Sequence, residues 1–359
     1  LSYIAPKDYS TDVAIFEKVK RTMGGDLDLD WMTHIGERAS FRPSQPRRGL
    51  TLDDINAGAY GPDRLPEIVR HNFSMAPRGA ILPPGLPSLG YQVNRKSDVW
   101  SDLAPALFEE SKSRRWAPAR DVPWNALDGR DRHSPREGAM RQLSTDLEAI
   151  GLVCADVPAY WVWRTNQEFH EVKYLMCAQM FDAARIAEAF RKRALYGSGA
   201  LGVDCKPLDE LLKMLLEADT YPLASLGMNL MLFGWVQALA RGLEAEADNA
   251  ADAFLATRLM QDATRFVAYG IDHIRSLVRV RPGMAEELSD ELDLFENGLV
   301  GLLGAREVLE PLVLLSGGLE PVAALYREAA REHAARCEAA GLRKRSAGPL
   351  PRFLELISG

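Results

Sequence analysis

Two stretches of the chain carry the same ionisable core. MFDAARIAEAF (180–190) and MQDATRFVAYG (260–270) both contain D-A-x-R followed by an apolar residue. Asp182, Ala183, Arg185 and Ile186 stand where Asp262, Ala263, Arg265 and Phe266 stand 80 residues later. An Asp and an Arg three apart share one face of a helix. Set among apolar positions, the two pairs predict a buried cross-helix ion network, in which removing one partner costs about 3–5 kcal/mol. The alternative is two separate, partly exposed pairs, each worth a few tenths of a kcal/mol.

Other candidate chemistry is thinner. Glu168 and Glu171 share a helix face while His170 points elsewhere, which favours the solvated start of a helix over a metal site. Asp156 and Glu109 are a carboxylate pair without histidine, weak as a metal site. YGSGALG has no following Lys-Ser/Thr and no preceding strand, so it reads as a helix terminator and not a phosphate loop. Cys154, Cys177, Cys205 and Cys337 lie far apart without C-x-x-C spacing, which fits reduced thiols in a cytoplasmic protein. Tyr160, Trp161, Trp163 and Trp235 read as core aromatics.

The elements that position these residues are helical. From Ser97 onward, periodicity near 3.6 predicts helices over about 135–166, 168–196, 207–247, 250–278, 284–306 and 318–341. SDVWSDLAPALFEESKSRRW reads as a helix opened by its Ser cap. Pro158 is expected to kink one long helix. Residues 1–96 are irregular. A short helix in DYSTDVAIFEKVKRTMGG is expected to start at Ser10 or Thr11 and stop at the Gly pair. FRPSQPRRG and APRGAILPPGLPSLG read as extended arms, lying on a neighbour or on their own domain. The basic end, CEAAGLRKRSAGPLPR, reads as a solvated tail or a docking arm. The division expected is 1–96 extension, 97–342 helical domain and 343–359 tail.

Composition narrows the classes. With 359 residues and 47% apolar content, the chain supports a large core. A net charge of −7 argues against nucleic acid or an anionic membrane as main partner. The apolar run LGMNLMLFGWVQALA falls short of the ~20 residues a membrane helix needs. Leu1 heads the chain without a leader pattern, and the missing initiator methionine is read as a trimmed start.

The order of apolar helix, then motif helix, repeated twice, resembles the ferritin-like di-iron oxygenases, kin of the ribonucleotide reductase small subunit. In that family each half supplies a Glu from one helix and a D-E-x-R-H segment from the next. KYLMCAQMFDAARIAEAF resembles the first such segment, LGMNLMLFGWV the helix carrying the second lone Glu, and MQDATRFVAYG the second segment. WAPARDVPW (116–124) is similar to a family connector. The likeness spans about 97–278 and implies an all-α, ferritin-like helical bundle with an irregular N-terminal extension and additional C-terminal helices.

Carried over by position, the family's ligands fall on apolar residues. The first Glu and His fall on Ala183 and Ile186, the second pair on Ala263 and Phe266. The lone Glu of the second half falls on Phe233, 30 residues before Ala263; the same spacing in the first half gives Val153, with Asp156 one turn on. None of the six supplies the oxygen or nitrogen donor iron needs. Losing all six together avoids stranded carboxylates in a low-dielectric interior and reads as coherent repacking. In the family the retained Asp supports a ligand His and the Arg anchors the Asp.

The resemblance therefore implies a metal-free, non-catalytic subunit of a heteromeric non-heme di-iron oxygenase. Its partner would be a metal-bearing ferritin-like paralogue that holds the iron and oxygenates a small organic substrate, with a reductase component as a further partner. The alternatives are a metal-independent enzyme or ligand-binding protein, or a homodimeric scaffold. The ligand-binding reading predicts an open cavity between Val153, Ala183, Phe233 and Ala263; the subunit reading predicts a filled core there.

Overall fold

The computed structural model describes residues 7–32, 41–70, 75–86, 90–197 and 199–358. The chain divides into two compact units, 1–64 and 65–359. The first holds α1 (Val13–Met23) and α2 (Leu52–Ile55). Asp12 caps α1, its side chain accepting from the Ala14 N–H. Ser10 and Thr11 belong instead to a short 3₁₀ turn capped by Asp8. Carboxylate oxygens win both caps, as acceptors bearing charge at a helix N-terminus do. Gly24 and Gly25 do end α1, and Gly25 has φ 86°, a left-handed conformation that suits glycine.

The second unit begins at residue 65, so APRGAILPPGLPSLG belongs with the helices, while FRPSQPRRG lies in the first unit. The peptide groups of Gln92 and Val93 both donate to the Arg164 carbonyl, and Val69 donates to Asn94. Of the arm APRGAILPPGLPSLG, residues 87–89 lie outside the described residues. Its Arg78 is inserted against the helices, as detailed below.

From there the unit is helical: α3 (Ala104–Ser113), α4 (Pro118–Asp121), α5 (Pro135–Val162), α6 (His170–Leu195), α7 (Lys206–Leu216), α8 (Tyr221–Ser225), a π-helical segment (Leu226–Leu232), α9 (Phe233–Ala245) and α10 (Ala250–Val280). α11 (Met284–Gly304), α12 (Arg306–Ser316), α13 (Leu319–Ala339) and α14 (Pro349–Ser358) follow. Among the described residues there is no sheet, only two isolated bridges. α5 pairs with α6 and α9 with α10, and further helices pack outside them. This is an all-α bundle in which α11 to α14 extend the chain beyond the two helix pairs.

Several boundaries differ from the periodic reading. The helix expected from Ser97 starts at Ala104, where Pro105 suits the first turn; Ser97 sits in a 3₁₀ turn, Lys96–Asp98. α5 runs through Pro158 as one helix, capped by Ser134. The expected 207–247 helix breaks before Thr220, whose side chain caps a new helix at Leu223 N–H with Pro222 in its first turn. α12 is an additional helix, closed by Gly317 at φ 74°.

The C-terminal stretch is not a solvated tail. Arg345 is buried, with Nε 2.7 Å from Glu296 Oε1 and Nη2 on Asp293. Arg343 reaches Asp290 at 3.0 Å and Asp293 at 3.1 Å. An acidic stripe on α11 thus draws the basic end down, and α14 packs on α11 and α13. Tyr221–Ala245 is the one unbroken helical segment among the described residues long and apolar enough to cross a membrane; 89% of its apolar window is buried inside the protein, as in a core helix.

Candidate functional site

The duplicated motif forms one buried cluster of four charges. Asp182, Arg185, Asp262 and Arg265 are each at most 4% exposed. Arg185 Nη2 donates to Asp182 Oδ1 at 2.8 Å on its own helix and to Asp262 Oδ2 at 2.8 Å across the bundle. Arg265 Nη2 returns the crossing to Asp182 Oδ2 at 2.7 Å and also bonds Asp262 Oδ1. The expected cross-helix network is present, and the reading as two separate pairs is excluded. Because α6 and α10 run side by side with the motifs level, i,i+3 spacing turns each Asp toward both guanidinium groups.

Two residues that the sequence left without a role complete it. Ser111 Oγ of α3 donates to Asp182 Oδ2 at 3.0 Å, and Trp116 Nε1 donates to Asp262 Oδ2 at 3.1 Å. Trp116 lies in the connector WAPARDVPW, so its place in the sequence was visible but its acceptor was not. Burial and the nearby Asp262 push the Asp182 carboxyl upward against the pull of both arginines. The four charges cancel, and the cluster holds helices in register without offering a free base.

The six positions to which the resemblance assigns ligands are apolar, and five are fully buried: Ala183, Ile186, Phe233, Ala263 and Phe266. Val153 is only half-buried at the margin of the core, with the fully buried Cys154 beside it. A constant 30-residue spacing therefore does not carry Val153 wholly inward. Phe233 and Phe266 stack face to face, centroids 3.8 Å apart and planes 18° apart. On the other side, a Cβ added to Gly151 of α5 would lie 2.6 Å from the Ala187 nitrogen and 2.9 Å from the Ala183 carbonyl oxygen. The centre is filled by rings in one half and by touching backbones in the other. The side chains at these positions do not fit a di-iron centre, since none carries an oxygen or nitrogen donor. Among the described residues no group of three or more His, Cys, Asp or Glu side chains is placed to hold a metal ion.

One turn away a polar thread crosses the interior. Gln179 Nε2 donates to Asn229 Oδ1 at 2.9 Å, and Asn229 Nδ2 donates to Ser225 Oγ at 3.1 Å. Ser225 Oγ lies 3.0 Å from His273 Nδ1, and His273 Nε2 lies 2.8 Å from the Asp98 carbonyl. A carbonyl only accepts, so Nε2 carries the proton and Nδ1 accepts from Ser225. Full burial pushes the His273 pKa down to about 4, which keeps the ring neutral and the thread directional. Tyr221 donates to Tyr269 at 2.8 Å, and Tyr269 donates to the Val99 carbonyl at 2.8 Å. Asn229 lies in the π segment, whose extra residue rotates it into this line. A lone Asn in the apolar run LGMNLMLFGWV was the available signal.

The remaining candidates separate. Glu171 is buried, not part of a solvated helix start: Arg78 Nη1 and Nη2 grip its carboxylate at 2.8 and 2.7 Å, and Nη2 also donates to the Glu168 carbonyl at 2.7 Å. The Pro-rich arm thereby lies on its own helices through this bidentate pair. Asp156 is exposed, and Glu109 pairs with Lys112 at 2.8 Å, so no carboxylate pair forms. Trp161 and Trp235 are core, but Tyr160 and Trp163 are exposed and flank the Arg164 guanidinium. No disulfide forms among the cysteines, three of which are buried.

No family model and no curated protein matches the chain. Solved structures do. A point mutant of an R2-like ligand-binding oxidase with an aerobically reconstituted Mn/Fe cofactor superposes with a TM-score of 0.48 at 18% identity, over 65% of this chain and 92% of that one. Another mutant of the same description gives a TM-score of 0.43 at 16% identity, over 77% and 98%. Likeness this distant speaks to neither activity nor ligand.

Proposed function

We propose that this chain is the metal-free, non-catalytic subunit of a heteromeric di-iron oxygenase. The supporting observation is the stacked Phe233–Phe266 pair at 3.8 Å beside fully buried Ala183 and Ala263. Donor-free side chains fill the middle of the bundle, while the Asp/Arg cluster that orders the helices is kept. A protein selected to bind metal there would keep oxygen or nitrogen donors; one selected only to hold its shape needs packing without voids. The same filling weighs against an interior ligand cavity between Val153, Ala183, Phe233 and Ala263.

On this reading the iron, the oxygen chemistry and the small organic substrate belong to a metal-bearing ferritin-like paralogue in a cytoplasmic complex, with a reductase as electron donor. This chain contributes a rigid surface. The test is co-expression with such a paralogue, followed by size-exclusion chromatography and iron analysis of each chain. Co-elution with iron confined to the partner is expected. Stoichiometric iron in this chain, or a monomer indifferent to the paralogue, overturns the reading.

A further inference from the structure

Arg185 is satisfied on one side only. Its Nη2 makes both bonds to Asp182 and Asp262, while Nε and Nη1 are buried without a hydrogen-bond partner. Unpaired buried donors are uncommon and call for an occupant. The guanidinium lies 5.1 Å from the Trp116 ring and 5.5 Å from the Phe181 ring. These same residues line a cleft of about 430 Å³, together with Pro118, Ala184 and, at its rim, Arg115. Phe181 is 54% exposed, unusual for a Phe on a helix whose other face is core.

We propose that this cleft binds a small planar organic carboxylate. Its size and mixed lining match small-molecule sites, which are mostly apolar with a few placed polar groups. The flat Trp116 and Phe181 faces suit an aromatic or conjugated acid. The charge selects an anion. Asp182 and Asp262 offset Arg185 and Arg265, the rim Glu188 pairs with Lys192, and Arg120 pairs with Asp121. Arg115 has no ion-pair partner among the described residues and adds uncancelled positive charge at the mouth. Phe181 turns outward to admit the ligand, whose carboxylate then accepts from the Arg185 donors left free by the cluster. The site lies on the outer side of the four charges, apart from the filled centre, and does not depend on the assembly proposed above.

Calorimetric titration of the full chain with benzoate, against benzamide as the neutral isostere at constant ionic strength, tests this. Saturable benzoate binding is expected, with benzamide weaker by at least about tenfold. Phe181→Ala and Arg115→Gln, both at exposed positions outside the charge cluster, should each weaken benzoate by several-fold while leaving the melting temperature unchanged. Absence of saturable benzoate binding, equal affinity for benzamide, or unchanged affinity in both variants would each overturn the proposal.

Discussion

The two halves of the bundle solve the same packing problem in different ways. In the α5–α6 half, small residues let the helices touch: Gly151 sits against the backbone of Ala183 and Ala187, leaving no room for a side chain. In the α9–α10 half, large rings do the filling through Phe233 and Phe266. The first half is two unbroken helices. The second is broken before Thr220 and carries a π segment that aims Asn229 inward. A bundle centre without polar groups is closed either by backbone approach or by large side chains, and this chain does one on each side. What joins the halves is the charge cluster, since each Arg reaches the Asp of the opposite motif.

That joint is where the comparison breaks hardest. Arg185→Ala would leave Asp182 and Asp262 short of a buried partner and is expected to cost about 3–5 kcal/mol in chemical denaturation. An unchanged melting transition would mean that the cluster does not tie the halves together. Phe266→Ala strips the filled half of its stacked ring, with an expected loss of about 3–5 kcal/mol. Ile186→Val, the level position in the close-packed half, should cost only about 0.5–1.5 kcal/mol. Equal losses would remove the asymmetry.

The halves should also respond to pH with opposite sign. His273, held at about 4 against an ordinary 6.5, stays neutral in the fold while the unfolded chain takes up a proton. Stability is intact above 6.5 and falls as pH drops toward 4, by about 3 kcal/mol in all. Asp146 of α5 is pushed up to about 7 from 3.8 by burial. Its contribution is present below 3.8 and is lost as pH rises toward 7, a loss of about 4 kcal/mol. Denaturation across this range should show His273→Gln flattening the acid side and Asp146→Asn flattening the neutral side. Exchange of those two effects would reverse the assignment. A further effect is expected at the contact of α5 with α6. Gly151→Ala adds a methyl against backbone that has little freedom to yield, a cost of about 1–3 kcal/mol despite better helix propensity. A stabilised variant would show that the helices there have room to spare.

The long helices were legible because each buries one stripe, and a stripe leaves a 3.6-residue period. Their ends were not, since caps depend on which of several adjacent polar groups reaches the free N–H, as with Asp12 in place of Ser10 or Thr11. The Asp/Arg network was legible because the motif repeats. Its completion by Ser111 and Trp116 was not, because those partners come from a helix and a connector 71 and 146 residues away. The C-terminal end is legible only as a basic run, because Arg345 looks like a solvated charge until Glu296 is placed opposite it; Glu171 opposite Arg78 decides between the arm's two readings in the same way.

By itself, the sequence determined an all-helical chain, a duplicated Asp–Arg motif and six apolar residues where the resemblance calls for donors. These follow from residue type and from local period, which the chain carries without knowing its fold. Only the tertiary structure decided that the four charges form one closed cluster, that rings fill one half and backbones the other, and that Arg185 keeps two donors free beside a cleft. Those are properties of distances between helices, set when the packed core fixes how closely two backbones approach.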